Sequence, residues 1–264
     1  MPLKGQSYFT YQTAEKAICW LKLTARGRSG HASVPSPGNA VVALAEAVVR
    51  LGRASLPMHV TPTVQQYFAG LSEGQSPEVQ QLLAAVLDPA TSDTALAQAM
   101  TESHRVDSAR AMLRNTATPT VLRAGDKINV IPSTAQADVD CRILPGQTVQ
   151  QLLAEVSPLI GDSINIDVTR TGQPSESPPA SPLAEAMTAA LKGHAPGARM
   201  IPFLVPGATD ARFLRVKGMT VYGFCPTLPD VDARTVHGVD ERLPLTSLTF
   251  ALKVLHDTIA GFAG

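Results

Sequence analysis

Cysteine is scarce in this sequence. Cys19, Cys141 and Cys225 lie far apart and form no Cys-x-x-Cys pair. That argues against a disulfide framework or a cysteine-rich zinc knuckle, and the thiols are read as small buried hydrophobes. Charge is also sparse: 17% of residues are charged, against about 25% in an average soluble domain. The 22 basic residues balance the 22 acidic ones. With no basic run and no interleaving of aromatic and basic residues, nucleic acid is not an expected partner. No stretch approaches the ~18 consecutive apolar residues of a membrane span. The opening "MPLKGQSYFTYQTAEK" is too polar for a signal peptide, so no membrane association and a cytoplasmic location are expected. Aromatics are few, so aliphatic side chains have to fill most of the core.

What is present is a globular composition over 264 residues, enough for one large domain or two ordinary ones. Residues 17–25, "AICWLKLTA", alternate as a strand, with Cys19, Leu21 and Leu23 on one face. A loop rich in Gly, Ser and Pro follows. Asn39 then caps a helix running to about Arg50, with Val41, Leu44, Ala45, Val48 and Val49 as its apolar stripe. From about 54 to 115 the pattern becomes mostly helical. Ser76-Pro77 opens one helix and "TALAQAMTES" reads as another. "TPTVLRAG" and "TAQADVDCR" are the next strands, and the second alternates cleanly: Ala135, Ala137, Val139 and Cys141 against Gln136, Asp138, Asp140 and Arg142. Thr148 and Gln151 form a capping box for a helix that Pro158 should end or kink. "INIDVT" is a fourth strand.

Setting the insertion aside, the order is strand, helix, strand, strand, helix, strand: the split βαβ, or ferredoxin-like, order of a four-stranded antiparallel sheet covered on one face by two helices. "GQPSESPPASP" (172–182) then reads as a linker. Beyond it come a helix opened by Ser181-Pro182, the strand "MIPFLV", a loop entering a helix at "GATDARFLRV", the strand "MTVYGF", and a last helix over about 246–260. That helix carries Leu248, Leu252, Leu255 and Ile259 on one side. This part alternates as α/β.

Each candidate for chemistry is ambiguous on local grounds. His31 sits on a small-residue loop, where a histidine serves catalysis or is incidental. Asn129 fills a turn or presents its amide to a substrate. Arg142 ends a strand on its polar face. There it pairs with Asp140 in solvent or binds a carboxylate through two parallel hydrogen bonds. Gly207 and Thr209 lead into a helix start suited to an anion, although Asp210 also serves as an N-cap. His237 is a potential zinc ligand without ligand-spaced histidine neighbours.

Their order is more specific than any one of them. "ARGRSGHASVP", "NVIPSTAQADVDCRILPG", "GATDARF" and "HGVDERLP" together resemble the co-catalytic zinc peptidases and deacylases: aminoacylases, acetylornithine deacetylase, succinyl-diaminopimelate desuccinylase and glutamate carboxypeptidases. The resemblance runs from about Glu15 to the end. It implies a ferredoxin-like lid and dimerisation domain, and hydrolysis of an amide by water held between two zinc ions. It casts His31 as the lid histidine that stabilises the oxyanion in the partner's site. Asn129 and Arg142 become lid residues binding substrate, with Arg142 on its carboxylate. Gly207 and Thr209 become substrate contacts, and His237 the last zinc ligand. The implied substrate is an N-acyl amino acid or peptide with a free carboxylate.

The resemblance also divides the chain: 1–14 as the tail of a truncated catalytic domain, 15–172 as the lid with its helical insertion, and 173–264 as the C-terminal part of the catalytic domain. The family's other metal ligands precede its lid and have no counterpart here. The expectation is therefore a chain inactive alone, with apolar sheet faces left exposed. The alternative is a non-catalytic module that keeps the lid fold for dimerisation or for binding an amino-acid-like ligand.

Overall fold

The computed structural model describes residues 2–3, 6–100, 103–228, 231, 235 and 238–264. In chain order the first half comprises β1 (Pro2–Leu3), β2 (Gln6–Glu15), β3 (Ala17–Arg26), β4 (Gly30–His31), α1 (Ala40–Arg53), α2 (Pro62–Ser72), α3 (Pro77–Ala85), α4 (Ser92–Ala99), α5 (Ser103–Leu113) and β5 (Thr116–Ala124). The second half comprises β6 (Val130–Ile131), β7 (Thr134–Ile143), α6 (Val149–Ile160), β8 (Ile164–Thr171), β9 (Ser175–Glu176), α7 (Pro182–His194), β10 (Arg199–Val205), α8 (Ala211–Arg215), β11 (Gly223–Phe224) and α9 (Leu245–Ala263).

The first sheet has the order β5-β7-β3-β8, with every neighbouring pair antiparallel. That is the split βαβ topology. The small residues that alternate along β7 decide which face is covered. Ala135, Ala137, Val139 and Cys141 join Cys19, Leu21 and Leu23 of β3 beneath α1 and α6. Cys19 and Cys141 face each other across the ladder, buried, and burial raises both thiol pKa values, which suits packing rather than reactivity. Cys225 departs from the expected burial and is exposed.

The helix signals hold with shifts in phase. Asn39 caps α1 by accepting the Val41 N–H at 2.9 Å. The buried stripe, however, is Ala40, Leu44, Ala47 and Leu51, while Val41 and Val49 point outward. The Thr148–Gln151 capping box is formed in both directions. Pro158 does not end α6. It lies on the exposed side, Val156 and Ile160 stay buried, and Arg50 covers the last carbonyls, Nε to Leu159 O at 2.7 Å and Nη2 to Ile160 O at 2.9 Å.

The second sheet is built around β2. The segment expected to be a tail is a ten-residue strand, parallel to β10 on one edge and flanked by β1, β11 and β9 on the other. Both faces of this sheet are covered. Phe9 and Tyr11 pack with α7 and α9, while Tyr8 and Ala14 pack with the helices of the insertion. The insertion therefore does not sit on the four-stranded sheet with which it is contiguous in sequence. Val64, Phe68 and Leu71 of α2 bury against Ile201 and Leu204 of β10, and Gly70 lets the helix approach closely, since a Cβ there would meet Ile201 Cγ2 at 2.5 Å. The exposed faces expected for this sheet are thus absent among the described residues. Exposed apolar side chains include Leu245, Leu248, Leu252, Ile259 and Phe262 on the outside of α9, Phe213 and Leu214 of α8, and Trp20 on the open face of the first sheet.

The Pro- and Ser-rich linker is an ordered crossover. It contributes β9 to the second sheet, and Pro179 O accepts the Tyr11 hydroxyl at 2.7 Å. The chain also passes between the two sheets on either side of the insertion, and those two passages pair at Met58 and Arg114. Glu155 of α6 fastens them, 2.6 Å from His59 Nε2 and accepting the Asn115 amide at 3.2 and 3.1 Å.

Candidate functional site

The loop carrying His31 starts at Gly27, where a Cβ would collide with Gly38 O at 2.1 Å; glycine lets the loop close on itself. Gly30–His31 then pairs with Val130–Ile131, and Asn129 O accepts the Ala32 N–H at 3.0 Å. His31 and Asn129 are therefore neighbours on one exposed two-stranded ladder. The Ser33 N–H donates to His31 Nδ1 at 3.2 Å, and Ser33 Oγ lies 2.7 Å from the same nitrogen. A backbone N–H can only donate, so Nδ1 is the acceptor. The neutral ring then carries its proton on Nε2. That leaves an exposed donor, the form needed to stabilise a developing oxyanion.

Arg142 lies elsewhere. His31 follows Arg26 and Asn129 precedes Thr134, and Arg26 and Thr134 are cross-strand partners at one end of the sheet. Arg142 pairs with Ile18 at the other end, eight residues along β7, about 27 Å away at ~3.4 Å per residue. One chain therefore does not bring His31 and Asn129 to Arg142.

What does converge near Arg142 is the crossover between the sheets. Asp140 holds the guanidinium side-on, through Nε at 2.7 Å and Nη2 at 2.8 Å. This leaves Nη1 and the second Nη2 hydrogen for another carboxylate. Lys16, one residue before β3, is fully buried with Nζ donating to Arg114 O at 2.6 Å. Burial lowers its pKa to about 7, with Arg142 adding to the shift.

Next to it, Glu15 receives the loop carrying Gly207 and Thr209. Thr209 gives both its N–H and its hydroxyl to Glu15 Oε2, at 2.6 and 2.7 Å. Gly207 is half-buried in the same loop. Glu15 was not singled out in the sequence, because nothing within β2 distinguishes it; its partners lie 160 and 194 residues away.

His237 lies outside the described residues. Among the described residues no three His, Cys, Asp or Glu side chains converge into a metal site. No described helix is long and apolar enough to cross a membrane.

With two sheets, a lid-like split βαβ unit and these loops in place, comparison with known proteins gives a consistent answer. The sequence profile of the M20 peptidase dimerisation domain matches residues 13–163. The chain belongs to the M20 peptidase dimerisation-domain family. It is similar to the human N-fatty-acyl-amino acid synthase/hydrolase PM20D1, 28% identical over 253 residues, covering 93% of this chain and 49% of that protein. It also resembles the probable carboxypeptidase S-like 2 of Dictyostelium discoideum, 27% identical over 140 residues, covering 51% of this chain and 27% of that one. The chain thus spans half or less of the curated relatives it matches here. Among solved structures, the fold is shared with the di-peptidase Dug1p of Saccharomyces cerevisiae. The TM-score is 0.63 at 12% identity, over 98% of this chain and 57% of that one. It is shared too with the M20 metallo-carboxypeptidase Sso-CP2 of Sulfolobus solfataricus, with a TM-score of 0.59 at 15% identity, over 98% and 61%.

Proposed function

We propose that this M20-family chain is part of a zinc-dependent hydrolase of amide bonds, of the carboxypeptidase or N-acyl-amino-acid deacylase type. It works as a homodimer in the cytoplasm on small substrates with a free carboxylate. The observation that carries this reading is the split of the candidate residues into two half-sets at opposite ends of one sheet. Arg142 and the Gly207–Thr209 loop gather at the crossover, whereas His31 and Asn129 project from the far end. In a dimer formed through the lid, each active site would combine the crossover set of one protomer with the loop set of its partner. His31 Nε2–H would face the oxyanion and the open edge of Arg142 the substrate carboxylate.

The relatives' names support the substrate class: one acts on N-fatty-acyl amino acids and another is a probable carboxypeptidase. His237 is the zinc ligand this chain would supply, and its co-ligands would come from residues beyond these 264. The chain alone is accordingly expected to be inactive.

The test is complementation in the complete enzyme. His31→Ala and Arg142→Ala homodimers should each be impaired. Mixing them by subunit exchange should restore about a quarter of wild-type turnover, since half the dimers are mixed and each holds one intact site. Confirmed mixed dimers with no recovered turnover would show that His31 does not act across the interface. A complete polypeptide that binds no zinc and hydrolyses no N-acyl amino acid would favour the non-catalytic lid-fold module instead.

A further inference from the structure

The Glu15 carboxylate is wholly enclosed, with no exposed surface. Its Oε2 accepts from Thr209 N, Thr209 Oγ1 and Gln12 Nε2 (3.2 Å), and its Oε1 accepts from Ser175 Oγ at 2.9 Å and lies 3.6 Å from Arg215 Nη1. Arg215 is buried too. Its other donors reach Ser177 Oγ at 3.1 Å, Val221 O at 2.8 Å and Gln12 O at 3.4 Å. Burial lowers the Arg215 pKa, with Glu15 acting in the opposite sense.

Neither the N–H nor the side chain of Thr209 has a donor left for a ligand. Its one hydroxyl proton and its N–H go to Glu15, and its Oγ1 accepts from Ala211 N at 3.2 Å and Gln12 Nε2 at 3.3 Å. A threonine so occupied holds the loop in place rather than touching a substrate. Stability alone does not require such an arrangement, because apolar residues of similar volume commonly replace a buried ion pair at no cost. What the charged version adds is direction. One carboxylate fixes the 207–210 loop, the outgoing crossover at Glu15–Ala17 and the returning crossover at Ser175 relative to one another.

We propose that Glu15 is a positioning residue, a buried lock that sets the Gly207–Asp210 loop against two of the chain crossings between the sheets, at Glu15–Ala17 and at Ser175, with Thr209 as its bolt. The functional half of this statement rests on the hydrolase reading above; the lock itself does not.

The test uses Glu15→Gln, which keeps the shape and one acceptor, and Thr209→Val, which leaves the buried ion pair intact should the first variant fold poorly. Amide hydrogen exchange at residues 209 and 211 should accelerate by about tenfold or more, the scale of a lost hydrogen bond to a charged group. Amides of the β3–β7 ladder should stay unchanged, and the double variant should be no worse than either single one. Unchanged exchange at residue 209 in both variants would overturn the lock, as would uniform acceleration throughout the chain. In the complete enzyme, kcat/KM for an N-acyl amino acid should fall by a similar factor, and Glu15→Gln should lose less than Glu15→Ala. Local opening with unchanged kcat/KM would refute the positioning role and leave the hydrolase reading intact. A wild-type enzyme without hydrolysis would refute that reading, while exchange alone would still decide the lock.

Discussion

Asp140 grips Arg142 along the side of its guanidinium, two residues back on the same strand face, through Nε and Nη2 at 2.7 and 2.8 Å. The end of the fork is thereby aimed rather than used up. Arg142→Ala in the complete enzyme should raise KM for a carboxylate-bearing substrate by ~10- to 100-fold, the worth of a charge-assisted pair, with a smaller change in kcat. Asp140→Ala should raise KM by less, because the cation remains but its aim is lost. Steady-state kinetics on an N-acyl amino acid and on its amide, which lacks the carboxylate, separate the two: only the acid should respond.

Lys16 makes stability depend on pH in a definite direction. Its folded pKa, near 7, lies below the unfolded value of 10.5, so between those values the unfolded chain holds the proton and the folded chain does not. Stability from this residue therefore rises with pH, by about 1.4 kcal/mol per unit well above pH 7, and the cost of burying the charge is fully present below pH 7. The thiols of Cys19 and Cys141, raised by burial in the folded chain, titrate near 9 when unfolded and oppose this slope, so it is read from urea unfolding between pH 7 and 8.5 as the difference between the wild type and Lys16→Met. Lys16→Met should lack this contribution. Equal slopes for the two proteins would mean that Lys16 stays charged when buried.

Two helical glycines should respond oppositely to the same methyl group. Gly52→Ala has open room, its nearest neighbour being Pro119 at 3.9 Å, and should stabilise by about 0.5–1 kcal/mol through helix propensity. Gly70→Ala drives a Cβ into buried Ile201 and should destabilise by roughly 1–2 kcal/mol net. Denaturation midpoints decide, and a stabilised Gly70→Ala would show that α2 does not lie against β10 as described.

The C-terminal helix allows a direct check of which side faces in. Val254 is buried with Phe9 and Leu191, whereas Leu252 is 60% exposed. Val254→Ala should cost about 2 kcal/mol and Leu252→Ser less than about 0.5. The reverse ranking would mean that the helix is rotated about its axis.

That helix also shows where sequence reading stops. Leu248, Leu252, Leu255 and Ile259 form an obvious apolar side, yet the structure buries Ser247, Val254 and Thr258. A period identifies a helix, but an apolar helix carries more than one candidate face, and neighbours choose between them. The four-stranded sheet was legible because one face is covered and one open, so β7 alternates without exception. Strand β2 was not, because both its faces are covered and Tyr8, Phe9 and Tyr11 erase the alternation. The loop of His31 and the strand of Arg142 could be located from sequence. That His31 lies at Asn129's end of β7, about 27 Å along the strand from Arg142, could not, since it follows from how β3 and β7 are paired. Glu15 and Arg215 gave no local signal at all.

The helices between α1 and β5 settle against the far sheet, so the chain joins the two halves at Glu15–Ala17, at Thr171–Ser175, and twice more on either side of the insertion, where the passages are stitched at Met58 and Arg114. A part tethered by one adjacent pair of strands can swing like a door. Here all four joins gather at one end of the four-stranded sheet, where Lys16 Nζ donates to Arg114 O at 2.6 Å, Thr116 and Ile18 both flank Arg142, and Gly172 N–H donates to Ile18 O. They make one bundled hinge, and a turn about it leaves α2 seated on β10. The travel such a hinge allows is greatest at the far end of the sheet, the end that carries His31 and Asn129.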